Sequence, residues 1–201
     1  MKDQWYGDNR DIVKWTVLLH LARQYDVKRI IQVAYFRSTE WKSVIIDGKK
    51  KDIPSEVLRH FRSVRNITKM SKEPNIIIID SIFSDRNIYM EKIIKYVTKY
   101  NGTRSIVFLD PDTGLEPNRP KYKHVLEAEL REIWQKMHNE DLLVFYQHQT
   151  NKNGQPWIKP KRRQFQASIG AEKGAVKIAK APDIARDVVF FYCQKKGWPA
   201  K

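Results

Sequence analysis

Two carboxylates and a hydroxyl follow a strongly apolar strand pattern. The run Ile-Val-Phe-Leu at 106–109 predicts a buried strand, which must end at Asp110-Pro111 because proline cannot continue a central ladder. Asp110 therefore lies at the carboxyl end of a strand, the edge at which open α/β sheets bind ligands. We expect Asp110 and Asp112 to be catalytic and Thr113 to line the substrate pocket. The alternative is an ordinary Asp-Pro turn in which Asp112 caps a helix.

Polar side chains also follow three other predicted strands. Asp80-Ser81, Gln147-His148-Gln149 and Arg37-Ser38 each come directly after an apolar run. If those strands are parallel, their carboxyl ends share one edge of the sheet, and the side chains assemble into one site. There His148 would act as a general acid or base or bind a phosphate, and Gln147 would line the pocket. In the plainer interpretation, Asp80 caps a strand end and His148 satisfies loop backbone.

An aromatic and acidic segment opens the chain. Tyr6, Asp8, Asp11 and Lys14 fall within one short stretch, with two tryptophans beside them. Asp11 and Lys14 are three residues apart, so a helix places them near one face. We expect these four residues to belong to the substrate pocket and to close over a base extruded from its stack. A helix cap and a local ion pair explain the same acids without any function.

Composition and charge narrow the class of protein. The chain has 201 residues, 41% of them hydrophobic, which suits one α/β domain and excludes a disordered chain. Its formal net charge of +15 favours a polyanionic partner, and the many aromatic residues suit stacking on bases. We expect nucleic acid, DNA before RNA, and no obligate protein partner. We expect neither a membrane span nor a signal peptide, and the lone Cys193 argues against a disulfide framework, which suggests a cytoplasmic protein.

A basic segment is the clearest candidate for phosphate contact. Its glycine and prolines predict a loop at about 151–164. The candidate nucleic-acid-binding residues of this loop are Trp157, Lys159, Lys161, Arg162 and Arg163. The cations would set affinity and salt sensitivity and leave sequence choice to other residues. The alternative is a solvated loop with no partner.

The remaining pattern predicts the scaffold. Apolar runs predict strands at 27–36, 41–46, 75–80, 106–109, 142–146 and 188–192, and amphipathic runs predict helices at 12–24, 55–64, 88–100 and 122–138. Strands that alternate with helices indicate a three-layer α/β/α architecture with a mostly parallel, Rossmann-like central sheet. We expect a single domain over residues 1–201, because no linker, repeat or low-complexity segment divides the chain.

The order of the motifs resembles that of a known enzyme family. The opening Gly-Asp-x-x-Asp-x-x-Lys at 7–14, the Asp110-Pro111 strand end and the run Val-Phe-Tyr-Gln at 144–147 resemble three blocks of the ribosomal RNA adenine-N6 methyltransferases. The blocks match in order over about two thirds of the chain. The resemblance implies a Rossmann-like fold and S-adenosylmethionine as the methyl donor. It also implies that Asp110 faces the target base and that Lys14 lines the same cavity.

Two departures from that family argue against methyl transfer. The segment 33–38 carries two bulky aromatic residues and no glycine, where a site for S-adenosylmethionine needs a Gly-rich turn. We therefore expect the cofactor pocket to be filled. Thr113 stands where the family has a catalytic aromatic residue. A shorter resemblance, to uracil-DNA-glycosylase-like proteins, pairs Asp110-Pro111 with a later turn that carries His148.

These observations lead us to expect a cofactor-independent DNA glycosylase that hydrolyses the N-glycosidic bond of a flipped base. Asp110 would position water or stabilise the sugar cation, and Asp112 and His148 would assist. The alternatives are an S-adenosylmethionine-dependent adenine-N6 methyltransferase and a non-enzymatic DNA- or RNA-binding module. A magnesium nuclease would use Asp80 with the two other acids. We expect no metal site, because the Glu-x-Lys pair of the common nuclease core is missing after these acids.

Overall fold

Short strands and helices alternate along the chain. The computed structural model describes residues 8–37, 43–55, 64–100, 102–149, 151 and 154–196. The helices are α1 (Asn9–Gln24), α2 (Arg86–Lys99), α3 (Glu127–Lys136), α4 (Ile158–Ser168) and α5 (Pro182–Ala185), and Val64–Lys69 forms a 3-10 helix. The strands are β1 (Arg29–Val33), β2 (Ser43–Ile46), β3 (Lys49–Asp52), β4 (Asn75–Ile79), β5 (Ser105–Leu109), β6 (Gly114–Leu115), β7 (His124–Val125), β8 (Leu142–His148), β9 (Lys177–Ala179) and β10 (Val188–Gln194).

A six-stranded sheet with the order β4-β1-β5-β8-β10-β9 forms the centre of the protein. The strands β4, β1, β5 and β8 are parallel, whereas β10 runs antiparallel to both β8 and β9. The chain leaves β1 toward β4 and then returns to place β5 on the other side of β1. The strand order therefore reverses between β1 and β5, and the crevice above such a switch point is where open α/β sheets bind ligands.

Two apolar clusters cover the two faces of this sheet. Successive side chains of a strand point to opposite faces, so Val107 packs into one cluster and Phe108 into the other. The first cluster lies under α2, α3 and α4, and the second lies under α1, α5 and the 3-10 helix. This confirms the predicted three-layer α/β/α fold with a mostly parallel sheet. It also explains the continuous apolar runs, since strands buried on both faces do not alternate.

Two predicted elements differ in the structure. The helix expected at 122–138 begins only at Glu127, because His124–Val125 pairs with Gly114–Leu115 as a short parallel strand. The basic segment expected as a loop to about 164 becomes helical at Ile158. The reason is that Lys161 and Phe165, one turn apart, both bury their side chains against the body. Most of the helix predicted at 55–64 falls outside the described residues.

No helix in the described ranges combines the length and the apolar composition that crossing a membrane requires.

Candidate functional site

A cavity of about 380 Å³ opens at the carboxyl edge of the sheet, above the ends of β1, β5 and β8 and beside the start of α1. This volume lies within the range of small-molecule sites. The residues that line it are Asp8, Arg10, Lys14, Arg37, Asp110, Pro111, Asp112, Thr113, Lys123, Tyr146 and His148. The cavity thus brings together side chains from the ends of separate strands, as the parallel arrangement predicts, and adds the opening segment of the chain.

A buried lysine and the Asp110 carboxylate form the floor of this cavity, and the Asp11 carboxylate lies behind the lysine. The Lys14 ammonium lies 3.0 Å from the Asp11 carboxylate and 3.1 Å from that of Asp110. The Gln32 amide donates a further hydrogen bond of 3.0 Å to Asp110. Burial acts to lower the pKa of Lys14, but the charges of Asp110 and Asp11 outweigh it and raise that pKa above its usual value. Lys14 is therefore a permanent cation that holds the Asp110 carboxylate in place.

Strand register and helix periodicity position these groups. Val33 pairs with Leu109, and the Asp110 amide donates to the Val33 carbonyl at 3.0 Å, so Asp110 is fixed at the switch point. Asp11 and Lys14 lie on the buried face of α1, one turn apart. The side chain of Asp8 caps that helix by accepting from the Arg10 and Asp11 amides. The cap and the ion pair offered above as alternatives are both present, and Lys14 also reaches Asp110.

A second ion pair crosses the mouth of the cavity. Arg37, from the turn after β1, pairs with the Asp112 carboxylate, which follows β5. The Thr113 hydroxyl donates to the Lys123 carbonyl at 3.1 Å. The side chains of Arg37 and Lys123 thus give the mouth a cationic rim, which suits an anionic ligand such as a phosphate.

His148 stands on the other wall of the cavity and is held by a residue that sequence patterns did not reveal. Its Nε2 lies 2.9 Å from Asp187, and Arg10 donates to the same carboxylate. Burial acts to raise the pKa of Asp187, but the Arg10 hydrogen bond and the nearby charges lower it overall. Asp187 directly precedes β10, whose antiparallel register with β8 brings it to His148. No local signal in the sequence indicates that pairing.

Tyr146 supplies an aromatic wall that was not among the predicted site residues. Its ring is almost fully buried, and the Lys14 ammonium lies 4.9 Å from the ring centroid. Burial raises the pKa of the Tyr146 hydroxyl, so this group stays neutral over the physiological range. Tyr146 lies two residues before His148 on the same strand, so both side chains lie on one face of β8. This spacing was the signal in the sequence that identifies Tyr146 as a site residue.

Two predicted pocket residues take other places, and a third is not among the described residues. Gln147 is 0% exposed, and its amide oxygen accepts from the Leu115 amide at 3.0 Å, so it clamps β6 to β8 rather than lining the pocket. This corrects the prediction for Gln147. Asp11 lies behind Lys14 and outside the cavity lining, where it acts only through that lysine. Tyr6 lies outside the described residues.

The basic segment lines a second cavity of about 580 Å³. Trp157, Lys159 and Arg162 belong to its lining, and Gln149 joins it next to His148 of the first cavity. Arg163 is exposed on α4 but is not part of that lining. The described lining contains no acidic residue. Cationic and aromatic side chains without an acid suit a nucleic-acid strand.

Lys161 corrects the prediction of a phosphate contact at that position. Its side chain points inward, and its ammonium donates to the carbonyls of Leu115 and Glu116 at 3.1 and 2.9 Å and to Gln164 at 2.8 Å. Burial lowers the pKa of this lysine. Lys161 therefore ties α4 to β6 and does not face solvent.

The turn after β1 does not fill the crevice with aromatic rings. Tyr35 has a left-handed backbone with φ 45°, a conformation that is uncommon outside glycine and costs about 1 kcal/mol or more. Its ring packs against Phe83 and Tyr89 in the core, with centroid distances of 5.3 and 5.5 Å. Phe36 packs against the opposite cluster. We expected bulky residues to block the cofactor pocket. The ring of Tyr35 does not do so, because it turns into the core and leaves only its backbone at the crevice.

The buried polar atoms without a hydrogen-bond partner among the described residues include two at this edge of the sheet. They are the amide oxygen of Gln32, on β1, and the hydroxyl of Ser81, in the turn after β4. Asp80, half-buried, precedes Ser81 at the end of the same strand. Among the described residues, no group of three or more histidines, cysteines and acids is arranged to hold a metal ion. Unsatisfied buried polar groups are rare, and those at a ligand-binding edge are candidates for ligand contact.

Comparison with known proteins gives similarity in fold only. No family model and no curated protein matches the chain. The S-adenosylmethionine-dependent methyltransferase SibL in its apo form is 12% identical, with a TM-score of 0.44 over 91% of this chain and 56% of that chain. The N-methyltransferase NodS from Bradyrhizobium japonicum WM9 is 11% identical, with a TM-score of 0.37 over 90% and 94%. The fibrillarin/Nop5p complex is 9% identical, with a TM-score of 0.39 over 84% and 72%. The chain spans little more than half the length of SibL.

The prediction of a cofactor-independent DNA glycosylase is wrong on this comparison. SibL is described as an S-adenosylmethionine-dependent methyltransferase and NodS as an N-methyltransferase, and none of the matching structures named here is described as a glycosylase.

Proposed function

We propose that this protein transfers a methyl group from S-adenosylmethionine to an exocyclic amine of a nucleic-acid base. The observation that carries the proposal is the cavity at the switch point, lined by Asp110-Pro111, Lys14 and Tyr146. A carboxylate beside an aromatic wall can accept a hydrogen bond from the amine of a planar base. Asp110-Pro111 and Lys14 also carry the resemblance to adenine-N6 methyltransferases, which supports the N6 amine of adenine as the target.

The carboxyl edge of the sheet next to the cavity carries groups that fit a methyl donor. The unsatisfied Ser81 hydroxyl and Gln32 amide oxygen offer polar contacts there, and the left-handed Tyr35 provides the sharp turn that glycine usually provides. Asp80 ends the strand beside β1, the place where a carboxylate holds ribose hydroxyls in Rossmann-like sites. Asp80 and Ser81 would hold the ribose, and the backbone after β1 would hold the rest of the molecule. When bound, S-adenosylmethionine supplies an electrophilic methyl group.

The residues of the cavity orient the amine that accepts this group. A carboxylate has about four acceptor positions, so Asp110 can accept from an amine while it keeps its bonds to Lys14 and Gln32. The bond from the amine turns the nitrogen lone pair away from Asp110. The nitrogen would gain the methyl group as the carbon–sulfur bond of the donor breaks, and the proton that the amine loses would leave along its hydrogen bond to Asp110. The ring of Tyr146 and the buried Pro111 restrict the base to one plane and exclude water.

The nucleic-acid strand would extend from the first cavity to the second. His148 lines the first and the next residue in the chain, Gln149, lines the second, so the two linings include consecutive residues at the end of β8. Trp157 would stack on a flanking base, and Lys159, Arg162 and Arg163 would contact phosphates. A net charge of +15 supports a polyanionic substrate, and we keep DNA ahead of RNA.

Methyl transfer and donor binding test this proposal together. Calorimetry should detect S-adenosylmethionine binding in the micromolar range, and mass spectrometry should detect N6-methyladenine in DNA or RNA incubated with the protein. Asp110→Asn should lower transfer by about 100-fold, since it weakens the acceptor that orients the amine, and leave donor binding unchanged. The matched control is Asp183→Asn, an exposed acid outside both cavities, which should keep full activity. Absence of donor binding and of any methylated base would refute the proposal.

A further inference from the structure

A two-stranded ribbon is separate from the central sheet. Ser43–Ile46 and Lys49–Asp52 pair antiparallel, and they form a sheet of their own. The turn between them, Asp47-Gly48, has positive φ angles of 50° and 73°, as tight two-residue hairpins require. An isolated ribbon of two strands is marginally stable in water by itself. Packing of another surface on such a ribbon stabilises it.

The ribbon exposes apolar side chains at its tip. Ile45 is 77% exposed and Ile46 is 54% exposed, and all four residues of β3 are exposed. A single exposed isoleucine is ordinary. Ile45 and Ile46 are neighbours along β2, so their side chains point to opposite faces, and each face of the ribbon carries one exposed isoleucine next to the turn.

The opposite strand of the ribbon is cationic. Lys50 pairs with Ile45, and Lys49 pairs with Ile46, so each face presents an isoleucine beside a lysine. Lys51 continues the run, and two acids lie at the turn and at the base of the ribbon, Asp47 and Asp52. The apolar side chains at the tip fit between stacked base pairs, and the adjacent lysines fit phosphates. A nucleic-acid duplex presents stacked base pairs and phosphates side by side along each groove.

The ribbon arises from the edge of the sheet that carries the site. Arg37 lines the first cavity, and only residues 38–42 separate it from Ser43. A segment of that length spans at most about 20 Å, so the base of the ribbon lies within that distance of Arg37. A duplex whose base enters the cavity therefore passes within reach of the ribbon.

We propose that the β2–β3 ribbon is a wedge for double-helical DNA. Ile45 and Ile46 insert between base pairs next to the target base, and Lys49, Lys50 and Lys51 contact the flanking phosphates. Opening the stack at that step helps the target base leave the helix and enter the cavity. The inference rests on the nucleic-acid substrate of the proposed function and adds that the substrate is a duplex.

The first test measures unstacking without any methyl donor. A DNA duplex that carries 2-aminopurine beside the target adenine should gain fluorescence several-fold when the protein binds. Ile45→Thr/Ile46→Thr keeps β-branched residues in the ribbon and should abolish that gain. Circular dichroism and the melting temperature verify that this variant remains folded. Full fluorescence gain in this variant would overturn the wedge.

The second test measures the phosphate contacts through salt dependence. Lys49→Gln/Lys50→Gln/Lys51→Gln should reduce the slope of log affinity against log salt by about 2.7, at about 0.9 for each phosphate contact. The charge-matched control, Lys92→Gln/Lys95→Gln/Lys136→Gln, changes three exposed lysines on α2 and α3. Equal slopes for the two variants would overturn the assignment. It would also be overturned if the isoleucine variant changed self-association of the protein and left DNA binding unchanged.

A third measurement separates the wedge from the proposed function. The isoleucine variant should lose methyl transfer to duplex DNA at least 10-fold and keep it on a single-stranded oligonucleotide, which needs no unstacking. If no form of the protein transfers a methyl group but the fluorescence and salt results hold, the wedge stands and the proposed function fails. Equal loss on both substrates would overturn the wedge alone.

Discussion

Replacement of Lys14 should be the most damaging single change at the site. Lys14 is buried, and its ammonium contacts Asp11 at 3.0 Å and Asp110 at 3.1 Å. At an effective dielectric constant of about 20, each contact corresponds to about 5 kcal/mol of Coulomb attraction. Desolvation of the three groups offsets most of this. What a variant measures is the cost of two buried carboxylates left without a cation, which is about 3–5 kcal/mol.

Urea unfolding of Lys14→Met at neutral pH measures that cost. Methionine is nearly as long as lysine and cannot pair with either acid, so the loss reports charge rather than a cavity. Adding Asp110→Asn to this variant removes one uncompensated charge and should restore about 1–3 kcal/mol.

Two results would refute this reasoning. One is a loss below about 1 kcal/mol for Lys14→Met, since an uncompensated buried charge cannot cost so little. The other is a double variant that is no more stable than the single one. The control is Lys92→Met on the exposed face of α2, which should stay within about 0.5 kcal/mol of the unmodified protein.

Three further predictions follow from the same contacts. Gly114→Ala should lower the melting temperature, because Gly114 has φ 113° and an added Cβ would overlap the Gln147 amide. Asp187→Asn should destabilise the protein at pH 7, and the difference should vanish as the pH falls through the lowered pKa of Asp187, since this carboxylate stabilises the fold only while it is charged. The Cys193 thiol, whose pKa burial raises to about 11, should resist alkylation at pH 8 until urea unfolds the chain.

Local sequence was sufficient for five of the six strands of the central sheet, and only β9 (Lys177–Ala179) was not predicted. Four consecutive isoleucines at 76–79 and the run at 106–109 are each bounded by polar residues; the first run forms β4, partly buried at the edge of the sheet, and the second forms the fully buried β5. Because a parallel sheet is covered on both faces, its strands carry continuous apolar runs that can be recognised one at a time. Their alternation with helices also indicated the three layers.

The contacts of the site depended on residues far apart in the chain. Lys14 and Asp110 are separated by 96 positions, and their contact requires the register of β1 against β5 and the packing of α1. Asp187 reaches His148 only because β10 runs antiparallel to β8. Burial of Lys161 likewise depends on the packing of α4 on β6. A basic segment with two prolines does not predict that packing.

The sequence by itself determined the strand ends, the acids that follow them and the excess of positive charge, because these depend on residue types and short-range pattern. Only the tertiary structure decided which acids are held by cations, which amide clamps two strands and which aromatic ring turns into the core. Those outcomes depend on strand order and register, which bring together side chains that no local pattern relates.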